Sequence, residues 1–182
     1  IVVMPDASTR YGGSQYLNSA ATGNYEDHIL ELVAFIDDKY STMNSHVHRA
    51  VAGHSSGGFG ALWLGMRHPN VFGLVADHSG DKNFELTCKP VFGELLRYYE
   101  RVGEQGINDL LHDPGATLRR GAPHGALNLL AMASVYSPNA NSPFGFNLPF
   151  DLKTGDLRPD VWSRWLTFDP LNAVATHGDA LR

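Results

Sequence analysis

The sequence predicts an α/β fold: a short parallel sheet with flanking helices, followed by a mostly helical second half. Three observations carry this. The first 80 residues alternate apolar strand-like runs with helical patterns, in the order strand–helix–strand–helix–strand. That order implies right-handed crossovers and a parallel sheet covered by helices on both faces. A glycine-rich turn, Gly53-His54-Ser55-Ser56-Gly57, falls at the join of the second strand and the second helix. No strand pattern follows residue 80.

Ile1 to Met4 is an apolar run stopped by Pro5, which suits a buried parallel strand. Residues 7–24 are rich in Ser, Gly, Thr and Asn and predict a long loop, a type often functional in compact domains. Asn24 then serves as an N-cap, with Glu26 and Asp27 in the first turn, where acid is favoured. Ile29, Leu32, Val33, Ile36 and Tyr40 share one face of that helix, and Glu26, Asp27, Glu31, Asp37 and Asp38 read as its solvated surface. Val47 to Ala52 is the second strand. Ser56 to Arg67 is the second helix, with Phe59, Leu62, Trp63 and Met66 on one stripe and Pro69 ending it. Val71 to Ala76 is the third strand. Beyond Gly80 the pattern changes. Residues 89–112 read as helix broken at Gly103 and Gly106, another helix spans about Gly125 to Val135, and residues 137–160 read as loop. Pro159 opens a short helix carrying Trp162 and Trp165, and Asp169-Pro170 pairs an N-cap with proline at the first helical position.

Composition bounds the function. The chain has 182 residues, 43% hydrophobic and 18% charged, which is ordinary globular composition. The net charge of −5 argues against nucleic acid as a partner, since phosphate backbones demand excess Lys and Arg. No apolar run approaches the roughly 20 residues of a membrane span. Cys88 is the sole cysteine, so there is no internal disulfide, and this mildly favours a reducing, cytoplasmic setting. The opening on Ile1-Val2-Val3 and the unpunctuated end at Leu181-Arg182 read as an internal segment of a longer fold.

The chemistry concentrates at Gly53-x-Ser55-x-Gly57. A serine held on a sharp strand-to-helix turn presents its hydroxyl above the sheet as a nucleophile. Side chains two before and two after it are expected to clash, hence Gly53 and Gly57, while Gly58 and Gly60 let the helix approach the sheet. The helix start below Ser55 carries positive partial charge, and the Ser56 N–H is placed to stabilise an oxyanion. A phosphate loop is the competing reading, but it would want a lysine, and none lies between residues 40 and 81.

Together, Val2-Val3-Met4-Pro5-Asp6, Tyr11-Gly12-Gly13-Ser14-Gln15-Tyr16, Gly53-His54-Ser55-Ser56-Gly57-Gly58 and Asp77-His78-Ser79-Gly80-Asp81 resemble the esterase D-type branch of the α/β-hydrolase superfamily. Its relatives include S-formylglutathione hydrolases, feruloyl and enterochelin esterases, and mycolyltransferases. The resemblance covers residues 1–81 well and implies a partial α/β-hydrolase fold. It divides the chain into a core at 1–81, a helical cap or insertion at 82–168, and the start of a return to the core at 169–182. It implies ester hydrolysis, or acyl transfer, on a small-molecule ester through acyl-Ser55, with no cofactor and no metal. It places the acid and the catalytic histidine on strands beyond Arg182, and the second oxyanion donor on a loop before Ile1. By that reading the chain alone is incomplete as an enzyme.

Other residues carry weaker readings. An internal triad would draw its acid from Asp77 or Asp81 and its base from His124 or His177, which satisfies the order serine, acid, histidine. His54, inside the elbow, and His78, at a strand end, are placed to line a pocket, as are Tyr11, Tyr16, Asn18 and Asp81. His46 and His48 share a face if they lie on a strand, yet no third metal ligand is in view. Trp162, Trp165 and Phe168 read as a packing face, and Cys88 as an inert thiol.

Overall fold

Residues 7–24 form two small hairpins in the computed structural model, which describes residues 1–181. Strand β1 (Ser8–Thr9) pairs with β2 (Gly12–Gly13), and β3 (Asn18–Ser19) with β4 (Gly23–Asn24), both antiparallel. The Tyr25 hydroxyl donates to the Ser8 carbonyl at 2.6 Å, and the buried Ser19 hydroxyl donates to the Ser134 carbonyl at 2.8 Å. The loop is therefore pinned at both ends. Helix α1 (Tyr25–Lys39) follows. Asn24 stands at its N-cap without a side-chain bond; Asn18 Oδ1 instead accepts from the Asp27 N–H at 3.1 Å.

The central ladder is parallel: β5 (Ala50–His54) pairs with β6 (Leu74–His78), in register from Ala50↔Leu74 to His54↔His78. Helix α2 (Ser56–Arg67) connects them and packs on the sheet. Both strands lie two to three residues later than the apolar runs predict. His46–His48 is a 3-10 turn rather than a strand start, and its His46 carbonyl accepts from the Gly73 N–H at 2.9 Å. Val71 and Phe72 donate instead to the His68 carbonyl in the turn that ends α2. Apolar content marks where a strand can form; ladder partners decide where it does.

Two further expectations change. Residues 1–4 join no ladder among the described residues, and Ile1, Val2 and Met4 are 80%, 89% and 91% exposed. The sheet is also covered on one face rather than two, with Ala52, Leu74 and Ala76 of the other face exposed.

The second half is helical: α3 (Phe84–Thr87), α4 (Phe92–His112), α5 (Pro114–Arg119), α6 (His124–Tyr136), α7 (Pro159–Leu166) and α8 (Pro170–His177). Helix α4 breaks at Gly103 (φ 66°, ψ −167°) and runs on through Gly106. Tyr136 is fully buried, with ring centroids of Phe84, Trp165, Phe168 and Phe59 at 5.5, 5.1, 5.2 and 6.2 Å. Trp162 and Trp165 pack in the same core, where Trp165 Nε1 donates to Ser137 Oγ at 2.8 Å. Phe59 of α2 belongs to that core, so the helical half and the elbow helix share one apolar cluster. The architecture is that of a partial α/β-hydrolase fold, a short parallel sheet flanked by helices.

Candidate active site

Ser55 occupies the single residue between β5 and α2 with φ 55° and ψ −122°, a backbone conformation that L-residues rarely adopt. Two bonds impose it. The Ser55 N–H donates to the His78 carbonyl at 2.9 Å, and the Ser55 carbonyl accepts from the Phe59 N–H at 3.0 Å. The first fixes the turn to the neighbouring strand, and the second starts the helix. The side chain is left exposed above the first turn of α2, where backbone N–H groups lack intrahelical acceptors. The Ser56 N–H is among them.

The glycines do different jobs. A Cβ on Gly53 would overlap the Gly57 carbonyl and lie 2.8 Å from its Cα, so Gly53 has no alternative. A Cβ on Gly57 meets nothing nearer than the Tyr16 hydroxyl at 3.7 Å, so the expected clash there is absent. Gly58 faces the turn after β6, where a Cβ would meet Asp77 Oδ1 at 2.5 Å and the Gly80 nitrogen at 2.9 Å. Gly60 abuts Tyr16 rather than the sheet, and it is Gly65 that takes α2 against Val75 of β6.

Backbone strain gathers around Ser55. Among the described residues, the non-glycine residues with positive φ are Gln15 (53°), Tyr16 (56°), Ser55 (55°), Ser79 (54°) and Asn83 (58°). Gln15 and Tyr16 lie on the loop that reaches the elbow, and Ser79 follows the residue whose carbonyl binds the Ser55 N–H. Each such position costs on the order of 1–3 kcal/mol and persists only where its surroundings over-determine it. A Cβ at Gly13, on the same loop, would lie 4.0 Å from Ser56 Oγ. Beside it opens a groove of about 490 Å³, lined by residues 5–9, Gly12, Gly13 and Tyr16.

The remaining candidates take various places. His54 and His78 are exposed and adjacent in the β5–β6 register. His124 opens α6 and His177 ends α8. Among the described residues, no hydrogen bond links the Ser55 hydroxyl to a histidine. Asp77 is engaged locally: Oδ1 accepts from the Gly80 N–H at 2.8 Å, and Oδ2 pairs with Lys82. Asp81 lines a cavity of about 30 Å³ with Cys88 and Asn128, room for one water but not for an ester. Burial raises the Asp81 pKa, against the opposing charge of Lys82. Burial also pushes the Cys88 thiol up to about 12, which keeps it protonated and unreactive at neutral pH. Tyr11 is buried, edge-on to Phe146 at 6.1 Å and bonded by Arg10. Asn18 caps α1 as described above.

Two buried carboxylates escape a reading of the sequence. Glu26, expected on the surface, is buried against α2: Arg67 Nε and His68 Nε2 lie 2.9 and 2.7 Å from Oε1, and Trp63 Nε1 lies 3.3 Å from Oε2. Burial alone would raise its pKa, but the bonds from His68, Arg67 and Trp63 outweigh it and the net shift is downward. Asp37 likewise leaves the solvated class through its pairing with Arg49 at 2.5 Å. Asp169, 3% exposed, accepts from the N–H groups of Asn83, Phe84 and Leu171 at 2.9, 2.6 and 3.0 Å. Only the last of these bonds follows from the Asp-Pro signature.

A strained serine between a parallel strand and a helix defines the site as that of an α/β-hydrolase-like protein. A family model described as "Putative esterase" matches residues 1–170, and the chain belongs to that family. It is also similar to two curated Mycobacterium tuberculosis proteins from different strains, Esterase Rv1288 and Esterase MT1326. Each is 37% identical over 82 residues, covering 44% of this chain and 18% of the relative. The match therefore spans less than a fifth of those proteins. No helix among the described residues is long and apolar enough to cross a membrane.

Proposed function

We propose that the protein is a serine esterase that cleaves carboxylic or thio esters of small molecules through an acyl-Ser55 intermediate. The observation that carries this reading is the backbone of Ser55, held at φ 55° and ψ −122° with its side chain exposed over the start of α2. Family membership and the esterase-named relatives support the reaction class. Ser55 Oγ attacks the ester carbonyl while a histidine takes its proton. Negative charge on the carbonyl oxygen is met by the Ser56 N–H. Collapse breaks the ester bond, and the histidine returns the proton to the leaving alcohol or thiol. Water then repeats the sequence on the acyl-enzyme. In this reading the acid and the histidine follow further core strands downstream, and residues 82–168 cap the pocket.

The groove beside the elbow favours one second reading. An alcohol held against Ser8 and Thr9 would take water's place and make the protein an acyltransferase. The decisive experiment is Ser55→Ala in the full-length protein. Hydrolysis of p-nitrophenyl esters should fall by at least about a thousandfold, and fluorophosphonate labelling should disappear. Retention of either overturns the reading. Transesterified product in the presence of added alcohols separates transfer from hydrolysis.

A further inference from the structure

We propose that Lys82 is a positioning residue for this site: it balances the charge of the Asp77 carboxylate, which the fold holds against the start of α2, and so keeps that charge from opposing the oxyanion. The proposal rests on the reading of Ser55 as nucleophile and of the Ser56 N–H as an oxyanion donor. Asp77 lies on β6 in register with Gly53, the first glycine of the elbow. Its side chain is 12% exposed and faces α2. A Cβ on Gly58 would lie 2.5 Å from Asp77 Oδ1, and a Cβ on Gly80 would lie 2.6 Å from it. The carboxylate therefore fits only because both residues are glycine. Gly58 belongs to the first turn of α2, close behind Ser56. His78, the next residue after Asp77, supplies the carbonyl that accepts from the Ser55 N–H at 2.9 Å. The Gly80 N–H closes the turn by donating to Asp77 Oδ1 at 2.8 Å. One short turn thus carries both the carboxylate and the group that holds Ser55.

A carboxylate against a helix start is good for the resting helix, because it meets the positive end of the dipole. It is bad for acyl transfer. Negative charge develops on the ester oxygen over the same first turn, and a second, unbalanced negative charge there repels it. Oδ2 of Asp77 pairs with Lys82, which supplies the missing balance. Lys82 does not touch the ester in this account; it acts through Asp77. Its side chain is 38% exposed, so solvent screens part of its charge and limits the effect to a moderate one. Lys82 also stands near Asp81, where burial raises the carboxyl pKa and the lysine charge opposes that rise. A test must therefore separate Asp77 from Asp81.

The test compares Lys82→Met with the double variant that adds Asp77→Asn, both in the full-length protein on p-nitrophenyl esters. Rates are taken per active site, counted by fluorophosphonate labelling run to completion, so that misfolded protein does not enter. Lys82→Met should lower kcat about tenfold with KM changed by less than about threefold. The double variant should recover to within about threefold of wild type, because asparagine keeps an oxygen for the Gly80 N–H and carries no charge to balance. A purely structural role for the pair would not move in this direction, since a second lesion in the same turn would add to the first. The proposal is overturned if Lys82→Met stays within about threefold of wild type, or if the double variant is not at least about threefold faster than Lys82→Met. The second result would assign any loss to Asp81 or to the fold. Ser55→Ala run alongside separates the two readings. If it retains activity, the nucleophile assignment fails; if it abolishes activity while the Lys82 variants behave otherwise than expected, only the Lys82 assignment fails.

Discussion

Replacing Gly53 and Gly57 by alanine, one at a time, should give opposite results, although both glycines belong to the same motif. The Gly53 Cβ would be driven into the Gly57 carbonyl and to 2.8 Å from Gly57 Cα, all backbone atoms. Neither side can yield easily. The elbow is tied by Ser55 N–H to the His78 carbonyl and by Phe59 N–H to the Ser55 carbonyl. Overpacking against rigid backbone costs about 3 kcal/mol or more, at the upper end of the usual range. For a chain of this length each kcal/mol moves Tm by roughly 2–4 °C, so Gly53→Ala should melt about 6–12 °C below wild type. Gly57→Ala meets only ordinary contact at 3.7 Å and replaces a helical glycine. It should gain about 0.5–1 kcal/mol and raise Tm by about 1–4 °C. Thermal and urea denaturation of the two variants read this directly. Equal destabilisation by both would refute the argument, since it would mean that something other than the close approach of Gly57 to Gly53 imposes glycine at the two positions.

Two further substitutions probe the buried carboxylates. Asp169→Ala removes the acceptor of three backbone N–H groups at a site 3% exposed. It should lower stability by about 2–3 kcal/mol in urea, with the m-value unchanged, and a loss below about 0.5 kcal/mol would show that those groups find other partners. Glu26→Gln should cost about 1–2 kcal/mol at neutral pH. Although burial opposes it, the net shift of the Glu26 pKa is downward, so the folded state favours the ionised form more than the unfolded state does. Its contribution is therefore complete above the ordinary value of 4.5 and fades as pH falls through the lower folded value. The stability gap between wild type and variant should narrow below that pH; a gap that widens in acid contradicts the ion-pair account.

The elbow was readable because its requirement is local. A residue pressed against its own chain four positions on must be glycine, and Gly53 shows that constraint directly in the sequence. Helix α8 was readable for the same reason, since an Asp-Pro pair caps and starts a helix by itself. What escaped depends on partners distant along the chain. Glu26 looks like a first-turn surface acid until Trp63, Arg67 and His68 close over it from α2. Asp169 looks like a single cap until residues 83 and 84 fold onto it. The strands β5 and β6 were displaced for the same reason, because the turn around His46 and His68 takes up the backbone groups that the apolar runs seemed to offer to a ladder. The sequence places Tyr16 on a candidate pocket loop but does not show its conformation. Nothing marks a tyrosine as left-handed, and Gly60 could be read as a contact to the sheet until the ring is seen against it.

These distant partners also explain how the strain at Ser55 is sustained. The turn after β6 presses Gly80 against the Phe59 N–H and Gly58, and Asp77 closes that turn through Gly80 and Lys82. One residue beyond it begins the segment that Asp169 fastens from the far end of the chain. Phe59, one helical turn past Ser55, is fully buried against Trp63, Phe84 and Tyr136. The elbow is thus braced from below by the aromatic core and from the side by the Asp77 turn, and both braces depend on the helical half. A conformation that is locally unfavourable by a few kcal/mol survives because releasing it would require opening that shared core. Stability lost at Asp169 should therefore be accompanied by a looser Ser55.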